Sequence, residues 1–353
     1  MTSTSRIRPT RHLIVLLLTA SMLLVACGDE GGAADADERA GADEETADVA
    51  TAFPVEIEHT FGSTTIEAEP ERIVSIGYQE QDALYALGAD PVAVRYWFGD
   101  DDDVIFPWAE DAAGDADPEI LNMPHGELNY EAIAALRPDL IMGIYSGITD
   151  EEFEVLSQIA PTVAQPEGYP TYGTPWDVSV EVVGRTLGRS VEASALIDDL
   201  EARFAEAAAA HPEWDGQQFA VVTASSTDRI ATFASFDPRA RFFALLGFEA
   251  VPEIDELAGE QFYVELSAEN IDVVDGGLIV WDQLSYVDGG RQTVDASPLV
   301  ANMESTRAGT VTDTSGEVEA AFGFNTVLSL PYVLDVMIPR LEAAMDDDPS
   351  TVG

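Results

Sequence analysis

Several β-branched runs of the 353-residue chain lead straight into arginine or aromatic residues, and such a set could line a cleft for a bulky ligand. Ser75-Ile-Gly leads to Tyr78, and Val92-Ala-Val leads to Arg95, Tyr96 and Trp97. Ile144 leads to Tyr145, Leu278-Ile-Val leads to Trp281, and Trp108 lies on the loop after the second run. Guanidinium offers a permanent charge with a fixed fork of donors, while aromatic rings offer flat apolar area with a polar tip. Taken singly, each ring more commonly serves a core, and each arginine more commonly pairs with a carboxylate. The four histidines, His12, His59, His125 and His211, show no paired metal-ligand spacing. Hydrolytic chemistry is disfavoured as well. Ser146 lacks a glycine two residues before it, so no Gly-x-Ser-x-Gly turn is present, and no catalytic residue or cofactor is expected.

A second pattern is an internal echo. Leu128-Asn-Tyr-Glu-Ala-Ile133 matches Leu266-Ser-Ala-Glu-Asn-Ile271. If Asn129 and Ser267 are helix N-caps, Glu131 and Glu269 both fall in a first helical turn. Read locally, each carboxylate would do no more than offset a helix dipole, for about 0.3–1 kcal/mol.

The third reactive group is the lone cysteine. Arg6, Arg8 and Arg11 precede an apolar run from Leu13 to Val25, which closes with Leu24-Val25-Ala26-Cys27. A charged start, an apolar stretch too short to span a bilayer and small residues at the cut make an export signal over 1–26. The tetrapeptide resembles the lipobox of exported lipoproteins. That implies a diacylglycerol thioether on Cys27, which becomes the first mature residue, and anchoring to the outer face of the cell membrane. Residues 27–52 are a Gly/Ala/Asp/Glu tract with almost no large apolar residue, and they read as a disordered acidic tether.

Charge narrows the partners. With 66 acidic residues against 16 basic ones, all arginine, the formal net charge is −50. A nucleic-acid partner is disfavoured, since phosphate binding needs a basic face. An anionic ligand requires a few arginines focused in a cleft.

The elements that must position these residues read as α/β. Strands are expected at Arg72–Ile76, Pro91–Arg95, Leu140–Ile144 and Pro161–Ala164, with helices at Gln79–Leu87, Glu131–Leu136 and Glu151–Ile159 between them. A hairpin over Val55–Glu67 turns near Gly62. A second unit has strands at Phe219–Thr223 and Leu278–Trp281. Its helices are expected at Arg239–Leu246, Ala268–Val274 and Thr326–Met345, with Pro331 kinking or starting the last. Between the units, Ala193, Leu196, Ile197, Leu200, Phe204 and Ala207 recur at helical spacing from an N-cap at Ser190 until Pro212. The expected organisation is two Rossmann-like lobes, 53–189 and 211–353, joined by one long backbone helix over 190–210.

From Phe53 onward the chain resembles the siderophore-binding lipoproteins of ABC importers. The stretches that carry the resemblance are Pro70-Glu-Arg-Ile-Val-Ser75, Gln81-Asp-Ala-Leu-Tyr-Ala-Leu-Gly-Ala-Asp-Pro-Val92, Pro107-Trp-Ala109, Ala134-Ala-Leu-Arg-Pro-Asp-Leu-Ile141, Tyr145-Ser-Gly-Ile-Thr149, Ile159-Ala-Pro-Thr-Val163 and Ser329-Leu-Pro-Tyr-Val-Leu334. The resemblance implies capture of a ferric siderophore in an inter-lobe cleft and delivery to an ABC permease dimer by a monomeric, membrane-tethered binding protein. Iron would arrive already wrapped by its chelator. Tyr78, Arg95, Tyr96, Trp97, Trp108, Tyr145, Arg239 and Trp281 are then the expected ligand-facing set, and Arg291 is a third, weaker cation. Glu131 and Glu269 fall on the positions that contact permease arginines in that family. Cobalamin or haem cargo on the same fold is the alternative, and a surface-tethered hydrolase is the alternative of another class.

Overall fold

A computed structural model describes residues 53–96, 104–123, 127–226 and 229–346. The first described element is the expected hairpin, β1 (Val55–His59) antiparallel to β2 (Gly62–Ile66). The N-terminal lobe then alternates strand and helix: β3 (Ile73–Ser75), α1 (Glu80–Ala86), β4 (Ala93–Arg95), α2 (Glu110–Ala113), β5 (Glu119–Leu121), α3 (Tyr130–Ala135), β6 (Leu140–Gly143), α4 (Asp150–Ser157) and β7 (Thr162–Ala164). Its five strands are all parallel, in the order β5-β4-β3-β6-β7. The chain steps from β3 to β4 and β5 on one side, then returns to β6 and β7 on the other. That reversal makes the carboxyl ends of β3, β4 and β6 the natural ligand crevice. Every residue of β3, β4, β6 and β7 is buried, as a sheet covered on both faces requires.

α5 (Trp176–Thr186) and the 21-residue α6 (Ser190–Ala210) follow. The long helix begins at Ser190, but Arg189 rather than Ser190 occupies the cap position. At 1.5 Å per residue α6 is a rod of roughly 30 Å. Gly184 is what lets α5 lie against its start: a Cβ there would sit 2.3 Å from the Cβ of Ala193.

The C-terminal lobe contains β8 (Gln218–Ser226), β9 (Arg229–Phe233), α7 (Pro238–Leu245), β10 (Glu249–Ala250), α8 (Pro252–Ala258), β11 (Tyr263–Ser267) and β12 (Leu278–Trp281). It closes with α9 (Gly290–Asp295), α10 (Pro298–Ala301), α11 (Glu304–Ala308), β13 (Val311–Asp313), α12 (Val318–Phe324) and α13 (Ser329–Ala344). Its sheet runs β11-β9-β8-β12-β13, with β10 also on β8; β9 is antiparallel to both β8 and β11. The molecule is thus two α/β lobes joined by one long helix. The main core runs through both lobes, from Leu84 and Val183 past Leu200 and Phe204 of α6 to Phe219, Phe243 and Phe322. Each such side chain contributes about 1.5–3 kcal/mol on burial.

Two expected helices differ. Ala268–Val274 is not an α-helix: Ser267 ends β11 opposite Arg229 of β9, and only a 3-10 turn at Ile271–Val273 follows. Sheet pairing takes the backbone that a cap at Ser267 would have used. The last helix starts at Ser329, and ahead of it the Thr326 and Ser329 amides each donate to the other's hydroxyl oxygen (2.8 and 3.0 Å). Pro331 falls in its first turn, where a missing N–H costs no helical bond.

Candidate functional site

The N-terminal wall is built where β3, β4 and β6 end. Glu80 organises it. Its carboxyl is fully buried, Oε2 accepts from the Gln79 N–H at 3.4 Å, and backbone N–H groups of the loops after β3 and β6, around Gln79, Ile144 and Tyr145, favour its charged form. Burial pushes its pKa up to about 7 against those bonds. The preceding Gly77 leaves room for it: a Cβ there would lie 1.9 Å from Glu80 Oε1, so the carboxyl would have to move. This frame places Tyr78 beside Tyr145, whose carbonyl accepts the Tyr78 N–H at 3.3 Å. Arg95, at the end of β4, lays its guanidinium over the Tyr78 ring, 4.8 Å from the centroid, and Nη2 donates to the Glu127 carbonyl at 3.3 Å. Tyr172, on the loop beyond β7, completes the cluster with ring centroids 5.5 Å from Tyr145 and 6.2 Å from Tyr78. Burial pushes its phenol up to about 12.

The opposing wall is the start of α7. Asp237 caps the helix through the Arg239 amide (2.9 Å), and Pro238 pre-sets the first turn. Arg239 reaches Asp237 at 3.0 Å and Asp282 at 3.2 Å, and lies over Phe233 at 4.1 Å. Asp282 in turn accepts from Thr314 Oγ1 at 2.6 Å. All three charged groups are buried, and desolvation raises both carboxyl pKa values against the pull of Arg239. Arg239 is therefore already neutralised. Arg241 is not. Two residues further along the helix it points some 200° away, and among the described residues it makes no ion pair and no side-chain hydrogen bond. Desolvation lowers its pKa, with Tyr145, Asp177, Asp237 and Tyr169 acting in the opposite sense. Tyr145, on the N-terminal wall, lies within electrostatic reach of the other wall. Burial holds its phenol well above the ordinary value, and Asp237, Arg239 and Arg241 of the other lobe all act on it.

Other expected residues fall elsewhere. Trp281 is 0% exposed and sits in the C-terminal core among Ile279, Leu284 and Met303, because β12 lies between β8 and β13 with both faces covered. Trp108 is part of the lobe seam: its ring stacks on Phe106 at 4.7 Å, meets Phe324 at 5.6 Å and donates to Asp82 at 2.8 Å. Asp82 also accepts from Thr326 of the other lobe, and burial pushes its pKa up to about 6. Arg291 is held by Asp295 and Asp313 at 2.7 and 2.8 Å. Cys27, Trp97 and His125 lie outside the described residues.

Glu131 and Glu269 are both exposed. Glu131 stands in the first turn of α3, whose cap is the Asn129 side chain accepting from Ala132 N at 3.0 Å. Glu269 stands in the turn after β11, so it serves no helix dipole.

The model of the family described as periplasmic binding protein matches residues 73–318. The chain belongs to the periplasmic binding protein family. It is 33% identical over 155 residues to the probable siderophore-binding lipoprotein YfiY of Bacillus subtilis, a match that spans 43% of this chain and only 42% of that relative's length. With the Fe(3+)-citrate-binding protein YfmC of the same organism it shares 24% identity over 317 residues, covering 87% of this chain and 91% of that one. The solved structure of PiaA from Streptococcus pneumoniae in complex with ferrichrome superposes with a TM-score of 0.71 at 28% identity, over 83% of this chain and 99% of that one.

In this periplasmic binding protein the sequence reading missed three residues at the walls. Tyr172 follows a strand end by the same logic that singles out Tyr78, since Thr162–Ala164 runs into Tyr169 and Tyr172. Arg241 carries no signal that separates it from Arg239. Tyr286 stands in a 3-10 turn five residues beyond Trp281 and is 68% exposed. Burial raises its phenol, followed by the charges of Glu319, Tyr96 and Asp282, so it lies within electrostatic reach of Tyr96 on the other lobe.

Proposed function

We propose that the protein is an extracytoplasmic receptor that captures a ferric siderophore, or a kindred ferric chelate, between its lobes and hands it to the permease dimer of an ABC importer. The observation that carries this reading is the pairing of walls at the lobe seam. Tyr145, clustered with Tyr78, Tyr172 and Arg95 on one lobe, lies within electrostatic reach of Arg241 on the other, in a chain whose net charge is −50. Phenol and guanidinium N–H and O–H groups suit the oxygen-rich surface of a ferric chelate, and an uncancelled cation suits a negative one. Names carried by relatives, siderophore-binding and Fe(3+)-citrate-binding, support the same class of cargo.

Tyr78, Arg95, Tyr96, Tyr145 and Arg241 are assigned to the ligand, with Tyr172 and Tyr286 beside them. Arg239 has a supporting role through its two carboxylates. Glu131 and Glu269 are assigned to the permease, one on each lobe. Residues 1–26 are assigned as leader, Cys27 as the acylated first residue, and 27–52 as the tether of a monomeric receptor with no enzymatic activity. Titration of the chain from Cys27 onward with ferric citrate and with ferrichrome, followed by tryptophan fluorescence, tests the reading. Saturable quenching by at least one is expected, and no response to any ferric chelate would overturn it.

A further inference from the structure

Behind the ligand walls, the two lobes enclose a cavity of about 10 Å³. Its N-terminal side is the chain entering α5, with Thr174 and Trp176; its C-terminal side is Arg241 and Phe242 of α7, with Asn325 and Leu330. Three polar atoms on these residues are buried without a hydrogen-bond partner: Thr174 Oγ1, Arg241 Nη1 and Asn325 Oδ1. Thr174 and Asn325 are 1% and 2% exposed, so bulk solvent does not satisfy them. The orientation of Asn325 is fixed, because its Nδ2 donates to the Phe322 carbonyl and leaves Oδ1 as an acceptor.

We infer that one water molecule occupies this cavity and joins the lobes by accepting from Arg241 Nη1 and donating to Asn325 Oδ1 and Thr174 Oγ1. The volume is that of a single water centre, and two to four polar partners are what such a site needs. The count closes on the water itself: one Arg241 N–H meets a lone pair of the water, and the water's two hydrogens meet the two oxygens. A second cation is excluded by the guanidinium, and an anion by the amide oxygen. The water gives the buried Nη1 of this half-buried arginine a partner where no carboxylate pairs with it. It also leaves the charge of Arg241 uncancelled toward the cleft. Since the walls belong to both lobes, the site exists only while the lobes stand as they do here.

The test needs no cargo. A crystal structure of the chain from Cys27 onward should show an ordered water within about 2.7–3.2 Å of all three atoms. Thr174→Val keeps the shape and removes one partner, so its folding equilibrium constant in urea titrations should fall about tenfold. Thr174→Ser keeps the hydroxyl and should stay within about twofold of the parent. Thr174→Val with Arg241→Met should cost less than the product of the single effects, because each single change already breaks the same bridge. A dry cavity, full stability with valine, equal losses for valine and serine, or multiplicative single effects would each overturn the inference.

Discussion

Replacing Asp82 with asparagine should make the protein more stable at neutral pH and leave it unchanged in acid. Asp82 is buried at the lobe seam, where its carboxylate accepts from Trp108 Nε1 and Thr326 Oγ1. Burial dominates, and its pKa rises from 3.8 to about 6. In the folded protein it therefore keeps a proton that the unfolded chain has already lost. Stability associated with this group is fully present below about pH 4 and disappears as pH rises to about 6. At about 1.4 kcal/mol per pH unit, the loss is roughly 3 kcal/mol. Asparagine offers one oxygen to the same two donors and does not titrate. The difference in unfolding free energy between parent and Asp82→Asn, from urea titrations at matched pH, should shift by roughly 3 kcal/mol in favour of the variant between about pH 4 and pH 7. The other carboxylates cancel in that difference. A difference independent of pH would show that Asp82 is charged at the seam and would refute the argument.

Arg239→Met should cost about 3–5 kcal/mol in the same titrations, since it strands Asp237 and Asp282 as buried, unpaired carboxylates. Arg241→Gln should instead weaken an anionic ferric chelate about tenfold relative to a neutral one, read by calorimetry; equal losses would make Arg241 structural. Glu131→Arg with Glu269→Arg should preserve chelate affinity and abolish cellular iron uptake, because like charges would face the permease arginines. Lost affinity would move the pair into the pocket. Cys27→Ser should remove palmitate labelling and leave the melting curve unchanged; retained label would disprove acylation at that thiol.

Local chemistry was readable where one segment decides the outcome. Asn129 caps α3 as its residue type demands, and the β-branched runs ending at Ser75, Arg95 and Gly143 are parallel strands that deliver Tyr78, Arg95 and Tyr145 to one crevice. Readings failed where a distant partner decides. The Leu-Ser-Ala-Glu echo predicts a cap at Ser267, but Arg229 on β9 pairs with that residue and extends the strand. Trp281 reads as a cleft aromatic until β8 and β13 are seen to flank it. Trp176–Thr186, to which the sequence assigns no element, carries valine at alternating positions, and its packing on α1 and α6 accompanies a helix against that preference. Arg239 and Arg241 look alike in sequence; Asp282, over forty residues away, separates them by neutralising the first.

The most direct test of the central claim is a calorimetric titration of the chain from Cys27 onward with ferric citrate, ferrichrome and iron-free citrate in parallel. The account predicts one saturable site for at least one ferric chelate, and at least about tenfold weaker binding of the iron-free ligand. Silence toward both ferric chelates, or equal binding with and without iron, would contradict it.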